Sequence, residues 1–225
     1  MKKPYISGII VAAGDGTRMG GVIKPLLLLS EKTLLERVIE QFCLSDIIDE
    51  IVVVSKDLPE IKDIIARYSS LKKIIFTLGG STRQESVYNG IAKTSKKTNF
   101  IMIHDCARPF IDVEMINLAY QHALGSGASC VSKPVTDTIK YRTDNGVNTP
   151  RRDRLFAVET PQTFLKDIYY SSYALALKNH QSFTDETSMV ENAGFKVDYF
   201  FIDKINMKIT TQNDLLIAKS LVEER

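Results

Sequence analysis

Short β-branched runs alternate with amphipathic stretches through the first part of the chain, and this pattern limits the fold more than any single motif. Ser7 to Ala12, Glu50 to Ser55, Lys73 to Leu78, Phe100 to His104 and Ala128 to Val135 have the length and apolar content of buried strands. Between them Thr33 to Leu44, Leu58 to Tyr68, Ser86 to Lys93 and Asp112 to Leu124 carry helical spacing. Alternation of this kind predicts an α/β fold, a Rossmann-like and mostly parallel sheet flanked by helices. At 225 residues the chain is expected to form a single domain over 1–225. Ligands of such sheets bind at the carboxyl ends of the strands. Three segments fall there: the glycine turn from Gly14, the pair Gly79-Gly80, and Asp105-Cys106-Ala107-Arg108-Pro109.

The glycine turn follows the first strand and leads to two cations, Arg18 and Lys24. Gly14 and Gly16 let the backbone bend sharply, and N–H groups in a concave turn bind anions. The combination suggests a triphosphate cradle built from backbone and side chains. Two better-known phosphate loops do not fit. The dinucleotide fingerprint needs a third glycine where this chain has Met19, and no acidic residue follows at the expected strand end. The other loop needs Gly-Lys-Ser/Thr, but Val22 and Ile23 follow Gly21.

From Thr136 the pattern changes. Thr138 to Asp144, the turn signal Asn145-Gly146 and the arginine-rich Val147 to Phe156 predict a hairpin with few core residues. A lone hairpin is only marginally stable in water, so this projecting β-arm, at about 136–158, is expected to pack on a second copy of the chain. Beyond it the sequence predicts helices around Leu165 to Leu177, Glu186 to Ala193 and Gln212 to Val222, with a strand near Val197 to Ile202.

Charge excludes some classes of partner. With 29 basic and 27 acidic residues the net charge is +2, which is not that of a polybasic nucleic-acid binder. The longest apolar runs, such as Leu26 to Leu29, are far below the ~18 residues of a membrane span. The N-terminal Met-Lys-Lys leads into the first strand without a cleavage-site pattern, and a cytoplasmic protein is expected. Cys43, Cys106 and Cys130 are odd in number and widely spaced, as suits core residues rather than a disulfide framework.

The motifs in chain order are Ala-Ala-Gly-Asp-Gly-Thr-Arg-Met-Gly at 12–20, Lys24, Gly-Gly-Ser-Thr-Arg-Gln-Glu-Ser-Val at 79–87 and His-Asp-Cys-Ala-Arg-Pro-Phe at 104–110. Then come Pro-Val-Thr-Asp-Thr-Ile-Lys at 134–140, Arg-Asp-Arg-Leu-Phe with Thr-Pro-Gln-Thr-Phe at 152–164, Thr-Asp-Glu at 184–186, and Asn-Met-Lys-Ile-Thr with Asp214. The ordered set, from Ile9 to about Ala218, resembles the 2-C-methyl-D-erythritol 4-phosphate cytidylyltransferase family of the bacterial non-mevalonate isoprenoid pathway. That resemblance implies CMP transfer from CTP to a polyol phosphate, with a divalent metal such as Mg²⁺, in a homodimer joined by the arm.

The resemblance also implies roles for residues. Arg18, Lys24 and Lys208 would be catalytic. Ala12, Ala13, Gly14, Asp15, Gly16 and Thr17, with Gly79, Gly80, Ser81, Arg83, Ser86, Asp105 and Ala107, would join them in holding the nucleotide. Asp105, Arg108, Thr138, Arg152 and Thr160 would meet the acceptor, Arg152 from the neighbouring subunit, and Asp105 would lie near the metal. A phosphate monoester is itself the nucleophile, which agrees with no Ser-His-Asp or Cys-His arrangement being evident. Two departures stand out: Ser81 replaces an acidic residue common in the family, and Ile23-Lys24-Pro25 replaces Pro-Lys-Gln. A ribitol 5-phosphate cytidylyltransferase shares the fold and chemistry, although Asp137 to Lys140 and Arg152 to Phe156 fit the erythritol enzyme better. A non-catalytic nucleotide-binding module is the alternative from another class, and the joint retention of Arg18, Lys24, Asp105 and Lys208 argues against it.

Overall fold

The computed structural model describes residues 3–14, 16 and 19–223. Strand β1 (Tyr5–Val11) is followed by a 3-10 turn (Lys24–Leu26), a small ribbon of β2 (Leu28–Leu29) and β3 (Lys32–Thr33), and α1 (Leu34–Leu44). Next come β4 (Glu50–Ser55), α2 (Pro59–Tyr68), β5 (Lys73–Leu78), α3 (Arg83–Ala92), β6 (Thr98–Asp105), α4 (Val113–Ser126) and β7 (Ala128–Pro134). The hairpin β8 (Tyr141–Thr143) and β9 (Gly146–Asn148) precedes β10 (Phe156–Leu165), α5 (Lys166–Lys178), α6 (Glu186–Asn192), β11 (Asp198–Phe201) and α7 (Gln212–Glu223). Seven strands form one sheet in the order β11-β7-β10-β6-β1-β4-β5, and only β10 runs antiparallel to its neighbours.

The period-two alternation of strand side chains divides the core. Ile6 and Ile10 of β1, Ile51 and Val53 of β4, and Phe100 and Met102 of β6 pack with α1, α2, α4 and α7. Their neighbours Ile9, Val52, Val54, Ile101 and Ile103 face the opposite way, toward α3, α5 and α6. Gly90 keeps α3 close to that second layer: a Cβ there would lie 2.6 Å from Val54 Cγ2 and 2.8 Å from Ile9 Cγ2. Both neighbours are fully buried, β-branched strand residues. Gly90→Ala is therefore expected to destabilise the fold by about 1–3 kcal/mol, overpacking outweighing the better helix propensity of alanine. A lower urea midpoint with an unchanged slope would report it.

Helix α3 starts at Arg83, three residues before the predicted start, because the Thr82 hydroxyl accepts the Glu85 N–H at 3.0 Å and caps the helix. The sequence pattern also misses β10, where Pro161 argues against a strand interior. Here the ladder accommodates it in a bulge, since Val158 pairs with Ser132 and Gln162 with Cys130, leaving three residues opposite one. Phe156 to Val158 pair with Pro134 to Ser132, so the base of the expected arm belongs to the main sheet. The two-residue loop of the hairpin is Asp144-Asn145, one position before the Asn145-Gly146 signal, because Thr143 pairs with Gly146. In this chain Tyr141 and Val147 of the hairpin are exposed.

Candidate active site

The site lies across the carboxyl ends of β1, β5 and β6, in a cleft of about 320 Å³. Backbone hydrogen bonds staple these ends together: Ala12 N–H to Val54 O at 2.7 Å, Gly79 N–H to Ser55 O at 3.1 Å, and Cys106 N–H to Val11 O at 3.0 Å. Gly16 has φ +61°, and a Cβ there would fall 2.1 Å from the Val22 carbonyl oxygen, so the turn requires glycine. Gly79 is set by close approach instead. A Cβ on it would lie 2.4 Å from Ala13 Cβ, so its lack of a side chain lets the loops after β1 and β5 meet.

Of the residues expected to hold the nucleotide, Ala12, Ala13, Gly14, Gly16, Lys24, Gly80, Ser81, Arg83, Ser86, Asp105, Ala107 and Lys208 line the cleft. Asp15, Thr17 and Arg18 lie outside the described residues. At the rim formed by the start of α3, Gly80 N–H donates to Ser86 Oγ at 2.9 Å. Ser81 gives both its N–H and its hydroxyl to Glu85 Oε2, at 2.7 and 2.6 Å. The carboxylate bonded to this turn comes from Glu85, in the first turn of α3.

Ionic contacts order the inner wall. Lys208 Nζ lies 2.6 Å from Asp105 Oδ2, and Arg83 Nη2 lies 3.2 Å from Asp105 Oδ1. The other arm of Arg83 meets both oxygens of Glu186 at 2.7 Å, and Glu186 is 3% exposed. Burial alone would raise the carboxyl pKa of Asp105, but Arg83 and Lys208 hold it well below the usual carboxylate range. Burial likewise opposes the Arg83 charge, and Glu186 and Asp105 overcome it and push that pKa up. On the side of the glycine turn, Lys24 Nζ donates to Ile209 O at 3.2 Å, so the peptide carrying Lys208 also orients Lys24.

Several predicted contacts lie elsewhere. Arg108 is buried, with Nη1 donating to Asn206 O at 2.7 Å and 3.4 Å from Glu159 Oε1; it does not line the cleft. Thr160 is buried behind Asp105, its Oγ1 accepting the Asp105 N–H at 3.1 Å. Thr138 and Arg152 lie on the exposed arm, where Arg152 Nη1 donates to Thr136 O at 2.8 Å. Within this chain, neither joins the cleft lining. Cys106 is buried at the cleft floor, and burial followed by the charge of Asp105 pushes its thiol pKa up, which excludes a thiolate nucleophile at neutral pH.

Sequence reasoning missed Glu186 as a site residue, although it lies in the Thr-Asp-Glu motif. An acid just inside a helix start reads as a dipole partner, and nothing local reveals an arginine 103 residues away. His104 supports the same wall. Its Nε2 must donate to the Arg108 carbonyl at 3.0 Å, leaving Nδ1 to accept the Thr160 hydroxyl at 3.0 Å. That arrangement needs a neutral ring, and burial lowers its pKa from 6.5 to about 4. Because the unfolded chain then binds the extra proton first, stability is fully present above about pH 6.5 and falls as pH drops toward about 4. The expected loss is roughly 3 kcal/mol. Urea titrations across that range should show the slope in the native protein and lose it in His104→Gln.

Among the described residues no group of three or more His, Cys, Asp or Glu side chains is placed to hold a metal, and no helix is long and apolar enough to cross a membrane. Residues 6–224 match the family model IspD, 2-C-methyl-D-erythritol 4-phosphate cytidylyltransferase. A protein of that name from Clostridioides difficile (strain 630) is 40% identical over 220 residues, covering 96% of this chain and 93% of the relative. The crystal structure of 4-diphosphocytidyl-2C-methyl-D-erythritol synthase from Anaerococcus prevotii superimposes with a TM-score of 0.88 at 29% identity, covering 98% of this chain and 97% of that one. The crystal structure of 2-C-methyl-D-erythritol 4-phosphate cytidylyltransferase from Thermus thermophilus does so at 0.79 and 26%, covering 97% and 99%.

Proposed function

The chain belongs to the 2-C-methyl-D-erythritol 4-phosphate cytidylyltransferase family, and from that premise we propose how its residues divide the work. The reaction transfers CMP from CTP to 2-C-methyl-D-erythritol 4-phosphate, giving 4-diphosphocytidyl-2-C-methyl-D-erythritol and pyrophosphate. One observation carries the assignment to this cleft: two lysines, Lys24 and Lys208, and one anionic carboxylate, Asp105, converge beside two glycine turns. The acceptor phosphate attacks the α-phosphorus directly, an oxygen–phosphorus bond forms, and the bond to pyrophosphate breaks. Negative charge then grows between groups that are already anionic, so preplaced cations supply most of the acceleration. Lys24 and Lys208, joined by Arg18, fill that role. The glycine turns with Ser81 and Ser86 receive the nucleotide, and Arg83 orients Asp105.

The donor set fits a divalent cation carried by the triphosphate. Mg²⁺ keeps several waters and takes one or two carboxylates plus phosphate oxygens, and Asp105 is a carboxylate held anionic in the cleft. Bound there, the metal would neutralise triphosphate charge. Excess EDTA is expected to abolish turnover and added Mg²⁺ to restore it; full activity in EDTA would end this reading.

Arg152 is proposed to grip the acceptor phosphate in a partner's site, its planar fork suited to two hydrogen bonds. Exposed Tyr141 and Val147 on the hairpin support a homodimer built on the arm. A cytoplasmic enzyme, folded as one domain, completes the proposal. The test is pyrophosphate release across CTP, ATP, UTP and GTP, with methylerythritol and ribitol phosphates as acceptors. CTP with methylerythritol phosphate should give the highest kcat/KM, and preference for ribitol phosphate would overturn the acceptor assignment.

A further inference from the structure

A second buried network centres on Glu159 and Asn206. The bulge in β10 turns Glu159 out of the ladder and buries its side chain to 5% exposure. Its Oε2 accepts from Asn206 Nδ2 at 2.8 Å, while Oε1 lies 3.4 Å from Arg108 Nη1 and 3.5 Å from Lys133 Nζ. Asn206 is 3% exposed and also donates from Nδ2 to Thr160 O at 2.8 Å, and its own carbonyl accepts from Arg108. Two residues later comes Lys208, and one further on Ile209 N–H bonds Ala107 O at 2.8 Å. The peptide bearing Lys208 is thus held at both ends, by Asn206 on β10 and by Ile209 on the loop after β6.

We propose that Glu159 is a positioning residue for Lys208, acting through the amide of Asn206. Without an acceptor at this place Asn206 Nδ2 retains only the Thr160 carbonyl, and the segment loses its tie to the Glu159 side chain. A lysine has a long flexible stem, so its ammonium stays on the reacting phosphate only if its backbone is fixed. Glu159 Oε2 serves Asn206 by accepting a hydrogen bond, which the amide oxygen of glutamine can also do, while Oε1 faces Arg108 and Lys133 with a charge that glutamine lacks.

This inference rests on the reading of Lys208 as a cation facing the reacting phosphate, and a double-mutant cycle separates the two. Glu159→Ala, Glu159→Gln, Lys208→Ala and the Glu159→Ala/Lys208→Ala pair are assayed for kcat and for KM of CTP. Lys208→Ala at native turnover would overturn the reading of Lys208 itself. With Lys208→Ala slow, Glu159→Ala should lower kcat about tenfold with KM for CTP within about twofold. Glu159→Gln, which restores the acceptor for Asn206, should recover part of that loss, and Glu159→Ala should cost little more once Lys208 is absent. Native kcat in Glu159→Ala, a full independent loss in the double variant, or no recovery with glutamine would each overturn the positioning role. If Glu159→Ala does not fold, Asn206→Ser, which removes the Nδ2 donor and leaves Glu159 beside Arg108 and Lys133, carries the same expectations for kcat, KM and the cycle with Lys208→Ala.

Discussion

Lys208→Ala and Lys24→Ala are each expected to reduce kcat by on the order of a hundredfold while leaving CTP affinity nearly unchanged, because removing one preplaced donor from a developing charge costs about 3 kcal/mol. The two side chains reach the cleft from different segments. Lys24 opens the 3-10 turn and donates to Ile209 O, whereas Lys208 contacts Asp105. In Lys208→Ala, Asp105 keeps Arg83 as an ionic partner, so the wall survives and the variant reports on chemistry rather than folding. A cation that met ground-state and transition-state phosphate equally would instead change binding and leave kcat alone. Steady-state pyrophosphate release beside calorimetric titration with CTP distinguishes the cases. Turnover near the native value in either variant would remove that lysine from the mechanism.

Much of the framework behind these lysines is legible in the sequence. The runs Glu50 to Ser55 and Lys73 to Leu78 coincide with β4 and β5, because short, mainly apolar and β-branched runs leave a plain signal between amphipathic helices. The cleft residues sit where strand ends are expected to gather, and the glycines at 16 and 79 have steric reasons to be there. What escapes is long-range. Strand β10 is hidden by Pro161 and by a bulge whose purpose appears only in three dimensions, where it sends Thr160 under Asp105 and Glu159 onto Asn206. Glu186 and Glu159 each pair with partners distant in the chain, and no local spacing encodes such pairs. Arg108, expected from the resemblance to meet the acceptor, instead turns its guanidinium to the Asn206 carbonyl and Glu159.

Arg152→Ala is expected to raise KM for the polyol phosphate by well over tenfold with little change in KM for CTP, since two charge-assisted hydrogen bonds to one phosphate are lost. Within its own chain the Arg152 side chain donates to Thr136 O, on an exposed arm outside the cleft lining. A residue so placed can serve catalysis by reaching a neighbouring subunit's site, and mixing variants tests that directly. Arg152→Ala supplies an intact cleft and a defective arm, and Lys24→Ala supplies the reverse. In a heterodimer one of the two shared sites then combines native Lys24 with native Arg152. Random exchange makes half of the dimers mixed, with one good site in each, so the mixture should recover about a quarter of native activity at limiting acceptor. A size tag on one variant shows whether mixed dimers have formed. Mixed dimers with no more activity than the parent variants would mean that the arm folds back to serve its own subunit, and the shared-site proposal would fall with it.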